Sequence, residues 1–184
     1  LNPPENSIWD FTKINFKYRD PRRLAKLFKL FPHVLFPNYE YSIWVDASIS
    51  IKKDLSQLVE NQFEDYCIKL FKHPKRDCIY KEFNFVESMG YENKTILSKQ
   101  KDKYLKEGYP YNNGLVAGGI IFRKHNNPDC IKLMNFWWKQ IEQFSGRDQL
   151  SFCFSSWVKK INYSALNLNQ HENQFFDIHH HKKY

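Results

Sequence analysis

Cysteine, glycine and methionine are scarce in this chain of 184 residues, numbering four, six and two. The cysteines are Cys67, Cys78, Cys130 and Cys153, with no CxxC pair among them. Four are too few to staple a domain of this length, so they read as reduced thiols, at least two of them buried. No stretch approaches the roughly 20 apolar residues of a membrane-spanning helix. The opening Leu1-Asn2-Pro3-Pro4-Glu5-Asn6 has neither an initiating Met nor a signal-peptide pattern, and it reads as the start of a fragment or a trimmed chain. There is no internal repeat, no low-complexity linker and no long Lys/Arg run or nucleic-acid-binding module, so no nucleic-acid partner is expected.

Aromatics and positive charge are abundant. Sixteen Phe, eleven Tyr and five Trp make up 17% of the chain. Such rings pack a core, and they also wall clefts for sugars and nucleobases. Lys and Arg number 28 against 20 Asp and Glu, a net charge of +8. That balance favours phosphates, anionic glycans or peripheral association with an anionic membrane surface; a solvated basic surface is the plainer alternative. At this length one domain, 1–184, is expected.

Asp20 caps a predicted helix with Pro21 at its first position, and Leu24, Leu27, Phe28 and Phe31 form its apolar face up to Pro32. Lys26 and Lys29 fall off that face. Tyr41 to Asp46 and Ser48 to Ile51 read as strands, and Asp54 caps a helix carrying Leu55, Leu58 and Val59. Asp65 to Phe71 is strand-like. Helices are expected over about 77–89 and 93–106, each closed by a glycine. Leu115 to Arg123 reads as a buried strand, Asn127-Pro128 starts a helix, and Arg147-Asp148-Gln149 begins the last one. Strands alternating with helices predict an α/β domain with a mostly parallel sheet, whose ligands bind at the carboxyl ends of strands. Asp46 and His73 fall there.

In Trp44-Val45-Asp46-Ala47-Ser48 an apolar strand delivers a carboxylate to a sheet edge. The segment resembles the Asp-x-Asp signature of GT-A glycosyltransferases, with Ser48 in place of the second Asp. A hard Mn²⁺ or Mg²⁺ bridges such a carboxylate to a diphosphate. His73-Pro74-Lys75-Arg76-Asp77-Cys78-Ile79-Tyr80 packs many functional types together, with His73, Arg76 and Tyr80 as candidate substrate contacts; a capped helix with a satisfied His is the structural alternative. Asn113-Gly114 can line a sugar site or form an ordinary turn. Arg147, Asp148 and Gln149 open a predicted helix, where anions and polar ligands are favoured, and Asp148 is equally a plain N-terminal helix charge. In the tail, His179 or His181 can complete a metal site, or the three histidines form a basic tail.

Five blocks in order carry a wider resemblance. They are Asp20-Pro21-Arg22-Arg23 with Lys26, Lys29 and Pro32-His33; Phe36-Pro37-Asn38-Tyr39-Glu40-Tyr41-Ser42-Ile43-Trp44-Val45-Asp46; and His73-Pro74-x-Arg76-Asp77-Cys78-Ile79-Tyr80-x-Glu82. Asn113-Gly114-Leu115 and Arg147-Asp148-Gln149-Leu150-Ser151-Phe152 complete the set. From about Trp9 to about Trp157 the chain resembles a family of glycosyltransferase-like domains that includes plant mucilage-synthesis and bacterial polysaccharide-locus proteins. The resemblance implies a GT-A-like, Rossmann-like fold, here without the first nucleotide-binding strand. It also implies sugar transfer from a nucleotide-sugar donor to a glycan or glycolipid acceptor in surface or capsular polysaccharide synthesis. Asp46 with Ser48, and His179 or His181, would hold the metal. Arg76 and nearby lysines would contact phosphates, and Asp148 with Gln149 would act at the reacting sugar. One plant member of the family is described as a ceramidase, so a metal-dependent hydrolase of a lipid amide or phosphate ester is the alternative, followed by a non-catalytic nucleotide- or glycan-binding module. The expected setting is the cytoplasm at a membrane surface, or the Golgi lumen for a eukaryotic chain.

Overall fold

The computed structural model describes residues 10–12, 20–60, 63, 65–166, 168 and 172–179, with residues 57 and 60 described by backbone alone. Helix α1 (Pro21–Leu30) starts as its sequence predicts: Pro21 takes the first turn and the Asp20 carboxylate accepts the Arg22 N–H at 2.9 Å. Pro32 opens the short α2 (Pro32–Leu35). Then follow β1 (Ser42–Val45), β2 (Ile49–Ile51), α3 (Ser56–Glu60) and β3 (Ile68–Lys72). Helices α4 (Ile79–Ser88) and α5 (Lys94–Lys106) lead to the longest strand, β4 (Val116–Arg123). Helix α6 (Pro128–Gln143) precedes a 3₁₀ turn at Asp148–Leu150, helix α7 (Phe152–Lys159), β5 (Ser164–Leu166) and β6 (Phe176–Ile178).

Among the described residues the main sheet has the order β1-β4-β3-β5. It is not the mostly parallel sheet that the alternating pattern suggests. Strand β4 runs antiparallel to both β1 and β3, and the parallel pair is β3 with β5. The reason lies in the connection. A single crossover helix carries a chain to the far end of a sheet and gives a parallel neighbour. Here two helices, α4 and α5, intervene, and the chain re-enters where β3 left: Lys72 sits opposite Val116, and the His73 N–H donates to the Leu115 carbonyl at 2.9 Å. The predicted strand at 48–51 is also outside this sheet; β2 pairs with β6 as a separate two-stranded ribbon.

Strand β4 buries both faces. Val116 and Ile121 join the larger core beneath α4, α5, α6 and α7, with Trp137, Tyr104 and Phe152 at its centre. Ala117, Ile120 and Phe122 join a smaller cluster with Phe71, Phe175 and Phe176, on the side of the β2–β6 ribbon. The ladder between β3 and β4 breaks once. Leu70 faces Ile121 but Phe71 faces Ala117, so Gly118, Gly119 and Ile120 bulge out of register. This bulge opens the sheet where the candidate site lies. All four cysteines are free and buried.

Candidate active site

A cleft of about 680 Å³ lies over the bulge, at the end of β1. Asp46 follows directly after that strand. Its N–H donates to the Gly119 carbonyl at 2.8 Å and its own carbonyl accepts the Ile49 N–H at 2.9 Å, which fixes the turn carrying Ser48. The Asp46 carboxylate accepts the Trp44 indole N–H at 2.6 Å and lies 3.4 Å from the Lys29 ammonium. Both Asp46 and Ser48 line the cleft.

Asp148 forms the floor. It is buried, and its Oδ2 lies 2.7 Å from Lys29 Nζ and 2.9 Å from Lys26 Nζ. Its Oδ1 accepts the Gln149 N–H at 3.0 Å. Burial alone would raise the carboxyl pKa, but the two ammonium groups outweigh it and hold the pKa far below the usual carboxylate range. Conversely Lys26, opposed by its own burial, is held above the ordinary lysine value by Asp148. Gly118 makes this approach available: a Cβ there would stand 3.3 Å from Asp148 Oδ2. Lys29 is placed by Arg123, whose buried guanidinium donates to the Lys29 carbonyl at 2.5 Å and pins α1 to the sheet.

The loop leading to Asp148 is anchored from behind. The Ser145 hydroxyl donates to Glu92 at 2.9 Å and accepts the Arg147 N–H at 3.1 Å, while the Ser145 N–H donates to Gln100. Arg147 lies 5.0 Å over the Tyr91 ring, and both Arg147 and Gln149 line the cleft. His73 lines it too, held by the Arg76 and Lys75 N–H groups donating to Nδ1, so the neutral ring carries its hydrogen on Nε2.

Other candidates lie elsewhere or are engaged. The Arg76 guanidinium is ion-paired to Glu82 and stacked 3.9 Å over Phe85. Tyr80 is a core residue whose hydroxyl donates to the Tyr109 carbonyl at 2.8 Å. Asn113 lines a different cavity, and Gly114, at φ +83°, packs beneath Tyr163. His179 sits beside the metal candidates: its N–H donates to the Ser48 carbonyl at 2.7 Å, and its ring Nε2 lies 2.7 Å from the Ser50 hydroxyl. His181 lies outside the described residues.

Sequence reasoning gave no site role to Lys26 and Lys29, or to Arg23, although all three stand in the blocks that carry the resemblance, nor to Glu92 and Gly118. A signal existed for the first two. Arg22, Lys26 and Lys29 at i, i+4 and i+7 form a basic stripe along one side of α1.

A family model described as TOD1/MUCI70, glycosyltransferase-like domain, matches residues 6–181. The chain belongs to this family. Among curated relatives, a probable hexosyltransferase MUCI70 of Arabidopsis thaliana is 28% identical over 156 residues, covering 79% of this chain and 27% of that protein. Alkaline ceramidase TOD1 of the same plant is 25% identical over 169 residues, covering 83% of this chain and 36% of that protein. The chain therefore spans roughly a third or less of the length of these relatives. No solved structure matches. This TOD1/MUCI70 domain has no helix among its described residues long and apolar enough to cross a membrane.

Proposed function

We propose that this domain is a metal-dependent glycosyltransferase that moves a sugar from a nucleotide-sugar donor to a glycan or glycolipid acceptor. The observation that carries the reading is the convergence of Asp46, Asp148 and Lys26 on one cleft, with the buried Lys29 bridging both carboxylates beneath it, in a chain of a glycosyltransferase-like family. A cleft of about 680 Å³ is within the usual range for a nucleotide-sized ligand.

Its charge supports a metal. Arg22, Arg23, Lys26 and Arg147 line it against Asp20, Asp46, Glu92 and Asp148, a near balance that leaves a diphosphate uncompensated. Asp46 and Ser48 fit a Mn²⁺ or Mg²⁺ that takes most of its remaining ligands from phosphate oxygens and water; no closed group of three His, Cys, Asp or Glu ligands occurs among the described residues. When bound, such an ion would offset the charge growing on the departing diphosphate. Lys26, partly exposed at the cleft, is placed to exchange Asp148 for a phosphate oxygen. That exchange would remove one of the two cations suppressing the basicity of Asp148. With Gln149 beside it, Asp148 would then orient the reacting sugar or accept the acceptor hydroxyl's proton. Arg147 and His73 would contact the substrate at the rim.

Calorimetric titration with UDP, GDP and CDP, with Mn²⁺ and with EDTA, tests this. Metal-dependent binding in the parent and its loss in Asp46→Asn are expected; equal binding in EDTA would remove the metal. The similarity to alkaline ceramidase TOD1 favours a second reading, hydrolysis of a lipid amide. Release of free fatty acid from ceramide, with no sugar transfer from any nucleotide-sugar, would select it.

A further inference from the structure

A second cavity, of about 1020 Å³, shares no lining residue with the cleft. It adjoins a third, of about 310 Å³, through Tyr66, Lys160 and Asn162, which line both. Together they form a groove lined from the end of α7 and the entry to β3. Two adjoining cavities suit a chain of repeating units better than one compact molecule.

Two aromatic rings open onto it. Trp157 is 38% exposed and Tyr66 37% exposed. Trp157 is not loose. Its ring stands nearly perpendicular to Tyr109 at 5.5 Å and lies 6.1 Å from Phe154, two rings of the main core. These contacts fix the part-exposed indole in the groove wall. The exposed amides Asn113 and Asn162 line the same cavity, and amides both donate and accept hydrogen bonds. Lys160 also lines this surface. It caps α7 in the left-handed region, φ +53°, where glycine is the unstrained residue, and so keeps a side chain in the groove.

The charge decides the ligand class. The protein is strongly basic, but the groove is not. Glu107, Asp65 and Asp129 are set against Lys160 and Lys124. A polyanion such as nucleic acid or a sulfated glycan would find no local excess of cations there. Rigid aromatic faces with amides beside them match the two sides of a pyranose, whose C–H face stacks and whose hydroxyls hydrogen-bond. We propose that this groove binds a neutral glycan chain, independently of the chemistry in the cleft. The groove would hold a polymer while its end, or another chain, reacts elsewhere.

Titration calorimetry tests this with cellohexaose, maltohexaose, xylohexaose and mannohexaose, and with a chondroitin sulfate hexasaccharide and an oligothymidylate as anionic counterparts. At least one neutral hexasaccharide binds. Trp157→Ala weakens it about three- to tenfold, the worth of one aromatic contact, and Trp157→Phe falls between. Asn162→Arg, at an exposed position that leaves the core untouched, weakens it as well, which guards against misfolding of the Trp157 variants. Asp46→Asn leaves this affinity unchanged, so a failed nucleotide reading and a failed groove reading give different results. The proposal is overturned if no neutral hexasaccharide binds, if the anionic probes bind more tightly, or if Asp46→Asn abolishes binding that Trp157→Ala and Asn162→Arg retain.

Discussion

Asp148 has one carboxylate oxygen shared by two ammonium groups, and Lys29, the nearer, is almost wholly inaccessible to solvent. Removing one partner of a buried ion pair costs about 3–5 kcal/mol, and Asp46, 3.4 Å from Lys29, keeps the loss toward the lower end. Asp148→Asn is therefore expected to lower unfolding free energy by that order in urea titrations at pH 7. Lys26→Met, at a more exposed site, should cost less than Lys29→Met. The pH dependence follows from the sign of the shift. The folded carboxyl pKa is depressed, so the stabilisation is complete above the unfolded value of about 3.9. It erodes as pH falls below that value toward the folded one. The gap between parent and Asp148→Asn should accordingly narrow on going from pH 5 to pH 3; a constant gap would mean that the variant acts through packing alone. Legibility differed sharply among site residues. Asp46 stood out as a carboxylate ending an apolar strand. Arg76 looked free because its partners, Glu82 and Phe85, lie on the following helix, and local spacing does not say that the chain folds Arg76 back over them.

Helix starts were the most legible elements, because a cap is a local device. Asn93 accepts the Thr95 and Ile96 N–H groups, and Asn127 accepts those of Asp129 and Cys130. Asn93→Ala and Asn127→Ala should each cost about 1 kcal/mol, or about 2–4 °C in melting temperature for a domain of this size. A change under half a degree in either would mean that the bond is dispensable. Strands β5 and β6 were harder to read, since three residues carry too little alternation to register a period, whereas the alternation of Ser48 to Ile51 did mark β2. The predicted last helix at Arg147 resolves into a 3₁₀ turn followed by α7, with Ser151 between them. The direction of β4 was hidden for a different reason. It depends on how many helices separate it from β3, and pairing partners are a long-range property. Gly118 and Gly119 stand in the sequence of β4, but their consequence, a bulge admitting Asp148, is not legible there. Gly118→Ala would press a methyl against that carboxylate, where Oδ1 and Oδ2 both lie within 3.4 Å. It should perturb nucleotide binding more than stability, a split that calorimetry and melting measured on one variant will expose.

At the scale of the whole molecule, net charge and local charge diverge. The chain carries +8, yet the cleft lining is nearly balanced and the second groove leans acidic. The general basic field raises the local concentration of anionic ligands, while the cleft itself needs an added cation to hold a diphosphate. Two measurable consequences separate these contributions. Ligand binding to the folded state raises the unfolding free energy by about 2.7 kcal/mol at a hundredfold excess over Kd. For a domain of this size that corresponds to a rise of about 5–10 °C in melting temperature. With Mn²⁺ present, a saturating nucleoside diphosphate should produce such a rise, and EDTA should remove it. Added salt should weaken the long-range steering within the first few tenths molar, because the Debye length falls to about 3 Å at 1 M, whereas the direct Asp46 contribution should persist. A rise that survives EDTA but vanishes with salt would mean that the lysines of α1 bind the phosphates without a metal. No rise with UDP, GDP or CDP under any condition would mean that the cleft is not a nucleotide site.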